Sequence, residues 1–179
     1  MSLTISLGLL ILRVVIGLTM AAHGSQKLFG WFGGSGFAGT MQMQGKMGLK
    51  PAWLWTGFVI LGELGGGLSL ALGFLTPLGA AGIFGAMVMA IAKSHWKNGF
   101  WNGKRGIEFP LSLLTVAVAI GITGPGAYSL DALFGLTLPY AQLFLVLALA
   151  ALIVDLAGLL ISRPPANVPT DVKSPLRAS

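Results

Sequence analysis

The sequence predicts an all-α, polytopic membrane helix bundle, and three observations carry that prediction. Of the 179 residues, 55% are hydrophobic and only 9% are charged, against roughly 25% charged in an ordinary soluble domain. A soluble fold of this size cannot cover its surface with so few charges, whereas lipid accepts an apolar exterior. Second, five apolar stretches, at about 3–25, 52–74, 77–94, 107–124 and 138–162, each have the ~17–25 residues a spanning helix needs. Third, the basic residues segregate to one side of a five-span topology. Helices are the expected form, because backbone groups in lipid must be bonded internally, and no barrel-like alternation is present.

The first stretch has no basic region before it and contains Arg13, so it reads as a retained helix and not a signal peptide. The 26–51 connection is rich in glycine (FGWFGGSGFAG), then in methionine and glutamine, and has no P-loop pattern. It is expected to lie on the membrane surface, with Phe29, Trp31, Phe32, Phe37 and Met41 dipping into the bilayer, and to cover the mouth of the bundle. Pro51, Pro77, Pro110 and Pro139 stand at the starts of stretches two to five, and Pro125 follows the fourth, as expected of a residue tolerated only in a first helical turn. Gly62 and Gly66 in the second span, and Gly79, Gly82 and Gly85 in the third, suit close helix packing. The tail, 163–179, is polar and proline-rich and is expected to be disordered.

Five spans place Lys27, Lys46, Lys50, Lys93, Lys97, Lys104, Arg105, Arg163, Lys173 and Arg177 on one side; only Arg13 remains, inside a span. The positive-inside rule makes that side cytoplasmic, so the N-terminus is expected outside and the C-terminus inside. All five tryptophans fall near the same side, and Tyr128 and Tyr140 near the other, as interfacial belts would have it. The net charge of +6 therefore follows a membrane pattern and does not point to nucleic acid. With no cysteine, thiol–disulfide exchange and thiolate metal sites are excluded.

Charged residues within lipid cost roughly 2.5–3.5 kcal/mol each at the bilayer centre, and they usually face the bundle interior and pair. Arg13 and Glu63 stand ten and eleven residues into consecutive antiparallel spans, each ~15 Å deep, and are expected to form a buried ion pair. Arg13, His23, Gln26 and Lys27 then form a polar stripe on the first span. Asp155 in the fifth span, on a face of small residues, is expected to pair with a basic residue. His95 and Glu108 bracket the connection HWKNGFWNGKRGIE, level with His23. Two histidines and a carboxylate suit a quinone head group better than a metal. Neither metal nor haem is expected.

The run from Leu12-Arg13 to His23-Gly24-Ser25-Gln26-Lys27-Leu28-Phe29-Gly30-Trp31-Phe32-Gly33-Gly34 resembles the first-helix signature of the DoxX family. Glu63 with Gly65-Gly66-Gly67 and Leu72-Gly73-Phe74-Leu75-Thr76-Pro77 resembles its second-helix motif. His95-Trp96, Asn98-Gly99-Phe100, Gly106-Ile107-Glu108, Gly124-Pro125-Gly126 and Ser129-Leu130-Asp131 extend the similarity, which covers roughly residues 5–135. The resemblance implies a four-helix domain over 1–135 in a bacterial inner membrane; this chain adds a fifth transmembrane helix within 136–162 and the 163–179 tail. Family members are described as oxidoreductase components, some linked to thiosulfate:quinone oxidoreduction or to complexes handling oxidative stress.

Three functions follow as expectations. The first is a redox-associated subunit binding a quinone or similar amphipathic molecule. Arg13, His23, Gln26, Lys27, Glu63, His95 and Glu108 would bind the ligand, and His23 or Glu63 would handle protons. The second is a non-catalytic scaffold or anchor in a larger complex, associating with other membrane or redox proteins or with itself. The third is a small transporter or lipid-binding protein, ranked last because no inverted repeat or broken helix is visible.

Overall fold

Ser2 starts the first helix: its hydroxyl accepts a hydrogen bond from the Ile5 amide, one of the donors a helix N-terminus leaves unpaired. Helix α1 then runs Leu3–Leu28. In this computed structural model, which describes residues 2–162, α1 is followed by α2 (Gly36–Lys46), α3 (Ala52–Leu72), α4 (Thr76–Asn98), α5 (Glu108–Thr123), the short α6 (Leu130–Leu133) and α7 (Tyr140–Ile161). The expected disorder of 163–179 lies outside the described residues. Pro51 and Pro139 occupy the positions just before α3 and α7, and Pro77 and Pro110 lie in the first turns of α4 and α5, where a missing amide hydrogen costs nothing.

Helices α1, α3 and α4 run antiparallel in turn: Gly17 and Gly24 lie against Ala71 and Leu64, and Gly62 and Gly66 against Gly82 and Gly79. Four helices, α1, α3, α4 and α7, are long and apolar enough to cross a membrane. Helix α5 is apolar but has 16 residues, ~24 Å of rise against a hydrocarbon core of ~30 Å. Among the described residues there are helices and turns and no strand. The core is built from Met20, Leu70, Ile83, Leu113, Ile120 and Phe144. A smaller cluster, Leu49, Trp55 and Met89, closes one end.

Glycine sets how closely the spans approach. A Cβ on Gly67 would stand 2.6 Å from the Gly17 carbonyl oxygen, and one on Gly62 would stand 2.6 Å from that of Gly82. Backbones therefore touch directly at α1–α3 and α3–α4, as small residues allow in lipid.

Two spans are locally underwound and widened into π turns, at Leu61–Gly65 in α3 and Ile91–His95 in α4. Such turns re-aim side chains and are frequent at functional sites. They carry Glu63 and, in α4, Lys93 with His95. Helix α2, within the connection expected to lie on the membrane surface, turns Thr40 and Gln44 into the bundle. Phe29, Trp31, Phe32, Phe37 and Met41 remain on the outside.

Candidate intramembrane site

Glu63 is 4% exposed and pairs with Lys27 from the last turn of α1. The expected partner was Arg13, and the reason for the difference is helix register. Gly24 lies against Leu64, and Gly17 against Ala71, which sets Arg13 opposite the turn after α3. Matching depths from the apolar ends displaced the pairing by about three turns, ~18 Å. Helix α1, at 26 residues, is longer than α3, at 21, and overhangs it, with Ser6 reaching the Ala127 amide.

Arg13 is fully buried and donates to the carbonyls of Leu70 (3.4 Å) and Tyr128 (2.5 Å). Asp131 is the anion whose field reaches it. Asp131, also fully buried, accepts from the Leu75 amide (2.8 Å), the Thr76 amide (3.2 Å) and the Thr76 hydroxyl (2.9 Å). These bonds satisfy the first donors of α4 and fasten the 124–135 segment to the α3–α4 turn. In the sequence Asp131 stood out only within the motif Ser129-Leu130-Asp131, with no role of its own. A proline at the second residue of α4 announces a helix start in need of an acceptor, but its acceptor lies 55 residues away.

At the opposite end, Gln26 donates to the Phe32 carbonyl (3.3 Å), leaving its oxygen to accept from His23 Nδ1 (3.2 Å). The His23 ring sits edge-on to Phe109 at 5.9 Å. His95 Nδ1 donates to the Arg105 carbonyl (2.8 Å), and Glu108 accepts from the Asn102 amide (2.8 Å). The last two residues therefore close their own connection and do not join His23. Among the described residues, no three His, Cys, Asp or Glu side chains gather as metal ligands would.

A cleft of about 600 Å³ runs between α3, α4 and α7. Along most of its length the walls are apolar, with Leu61, Gly62, Gly65 and Leu78 among them. Its lining extends on α3 from Trp55 to Ser69, ~21 Å of helix rise. Leu61 is 68% and Leu78 56% exposed, so the cleft opens sideways, toward lipid. None of the seven residues nominated from sequence as ligand-binding lines it. The π turn of α3 separates the two features: Leu61, Gly62 and Gly65 face the cleft, while Glu63 reaches α1.

Three polar side chains stand at the α2 end of the cleft: Gln44, Trp55 and Asp155. Each is at least nine-tenths buried. Gln44 Oε1, Trp55 Nε1 and Asp155 Oδ2 have no hydrogen-bond partner among the described residues. The basic partner expected for Asp155 is not there: Lys93, the cation of the adjacent π turn, donates instead to the Met47 carbonyl and the Ser162 hydroxyl. Buried polar groups are normally satisfied, and three orphans in one cleft are unusual for structural packing.

Comparison with known proteins gives two similarities. The DoxX family model matches residues 8–96. A relative described as "Inner membrane protein YqjF", from Escherichia coli (strain K12), is 33% identical over 129 residues, covering 70% of this chain and 91% of the relative. No solved structure matches.

Proposed function

The chain belongs to the DoxX family of bacterial inner-membrane proteins, and we propose that it binds an amphipathic molecule taken up sideways from the lipid into the cleft between α3, α4 and α7. The carrying observation is the cleft itself: apolar walls for a tail and three unpartnered polar groups at one end for a head. Pockets that are mostly apolar with a few placed polar groups are the usual form of a small-molecule site.

Gly65 offers a clean test. It lines the cleft, and a Cβ there would meet no atom within 4 Å, so Gly65→Leu fills the space without disturbing packing. The variant is expected to fold as well as the parent and to lose at least tenfold in affinity for tailed amphiphiles, measured by native mass spectrometry from detergent. Unchanged affinity for every tailed probe would remove the cleft as a site and leave the scaffold reading in possession.

The redox form of the proposal has a quinone as occupant, with His23 or Glu63 handling its protons and membrane or redox proteins as partners. Its support is the family resemblance. The geometry adds one donor for a quinone carbonyl, Trp55 Nε1, but leaves the acceptors Gln44 Oε1 and Asp155 Oδ2 unmatched. A short-tailed benzoquinone belongs among the probes for that reason.

The proposal also includes five spans, with α5 as the short one, and an N-terminus on the outer face of the inner membrane. Lys27, Lys46, Lys50, Lys93, Lys97, Lys104 and Arg105 all fall at the end of the bundle that holds the α2 and 95–108 connections, which supports an inward-facing assignment. The chain has no cysteine, so single cysteines introduced at exposed Asn102 and Leu133 report topology directly. An impermeant maleimide applied to intact spheroplasts is expected to label the second and not the first; the reverse pattern inverts the orientation.

A further inference from the structure

The three orphan atoms at the head of the cleft are of two kinds, and their inventory specifies a ligand. Asp155 Oδ2 and Gln44 Oε1 are acceptors, while Trp55 Nε1 is a donor only. Asp155 sits on a face of small residues: a Cβ on Gly85 would be 3.1 Å from Ala151 and 3.8 Å from Asp155 Oδ2. The Trp55 ring packs on Gly158, one turn along α7 from Asp155. Carboxylate and indole thus share one end of the cleft, with Gln44 delivered there by α2.

A buried carboxylate with no internal partner is stabilised most by an occupant bringing an opposite charge and a hydrogen-bond donor together. The indole N–H requires an acceptor on the same occupant. Resting on the cleft as the binding site, we propose that the head group recognised there is that of a long-chain amino alcohol, held through Asp155, Gln44 and Trp55. Its ammonium donates to Asp155 and Gln44, and its hydroxyl oxygen accepts from Trp55. Its single tail lies along the apolar walls toward Leu78. A fatty acid brings a second negative charge to Asp155. A plain quinone brings acceptors only, and a plain alkylamine leaves the indole unmatched.

The test is a head-group series on one tail, with apparent Kd read by native mass spectrometry on the full-length protein in detergent. The probes are N-dodecylethanolamine, dodecylamine, dodecanol and dodecanoate. The expected order of affinity is the order given, with at least tenfold between dodecylamine and dodecanol. Asp155→Asn removes an unpartnered buried charge, so folding is expected to survive. It should cancel the amine preference while dodecanol binds as before. Trp55→Phe should cancel only the advantage of N-dodecylethanolamine over dodecylamine.

If the amine preference persists in Asp155→Asn, or dodecanoate binds best, the head-group assignment is overturned although the cleft stands. If no probe responds to Gly65→Leu, the cleft reading itself has failed. Equal binding of all four probes in the parent, still sensitive to Gly65→Leu, leaves a cleft that reads tails alone and also overturns the assignment.

Discussion

Asp131→Ala is expected to lower the thermal unfolding midpoint in detergent by ~6–20 °C, the equivalent of ~3–5 kcal/mol for a chain of this size. The substitution removes three hydrogen bonds at once, from the Leu75 amide, the Thr76 amide and the Thr76 hydroxyl. Bonds to a charged acceptor are worth ~1.5–3 kcal/mol each, although bonds within one cluster do not add in full. Leu75 is also held in a left-handed conformation, φ 49°, which a branched side chain adopts only when its surroundings fix it. Its amide is one of the donors to Asp131. Finally, the change strips the anion from the field of fully buried Arg13. Asp131→Asn, which keeps an acceptor but loses the charge, should fall between parent and alanine variant. Arg13→Ala should be similarly damaging, because the Leu70 and Tyr128 carbonyls lose their donor. A midpoint unchanged in both Asp131→Ala and Arg13→Ala would show that this end of the bundle is held by packing alone.

The second large effect is an asymmetry across the Lys27–Glu63 pair. The Glu63 side chain is 5% exposed and that of Lys27 is 23% exposed. Lys27 stands in the last turn of α1 and can swing its long side chain to the interface if its partner is lost. Glu63, inside the π turn of α3, has no such route. Lys27→Met should therefore cost ~3–5 kcal/mol, the range for a buried charge left unpaired. Glu63→Gln should cost much less, on the order of 1 kcal/mol. The double variant should recover most of the loss, since replacing a buried pair outright is often neutral. Equal losses from the two single substitutions, or no recovery in the double, would mean that the pair does not act as a unit. The measurement is thermal unfolding of the four proteins in one detergent, treated as a double-mutant cycle.

Each prediction involves one charge that was legible in the sequence, Arg13 or Glu63, and a partner that was not. Arg13 and Glu63 were identifiable as buried charges because each interrupts an apolar stretch. Their pairing depended on how α1 slides along α3. That register is fixed by the Gly17–Gly67 and Gly24–Leu64 approaches and by the overhang of α1, not by distance from the apolar ends. Asp131 was given no role because it lies in a connection, where a carboxylate looks solvated; only the fold brings it to the start of α4. His95 and Glu108 were expected level with His23, but both are engaged within the one connection that they bracket.

The cleft was the least legible feature. Asp155 was visible as an acid on a small-residue face, and Gln44 and Trp55 were visible as residues of a surface connection and a span end. Nothing in their spacing links positions 44, 55 and 155, which three different helices supply.

The sequence by itself determined the solvent and the secondary structure. Composition and stretch length dictate helices in lipid, proline marks where they begin, and the basic residues gather at one end because of where they fall between stretches. These are properties of local chain segments, and local physics sets them. Tertiary structure alone decided which charge meets which, which acceptor caps α4, and which three polar groups line the cleft without partners. Those outcomes depend on helix register and on which face each span presents. Both are fixed by contacts between segments far apart in the chain.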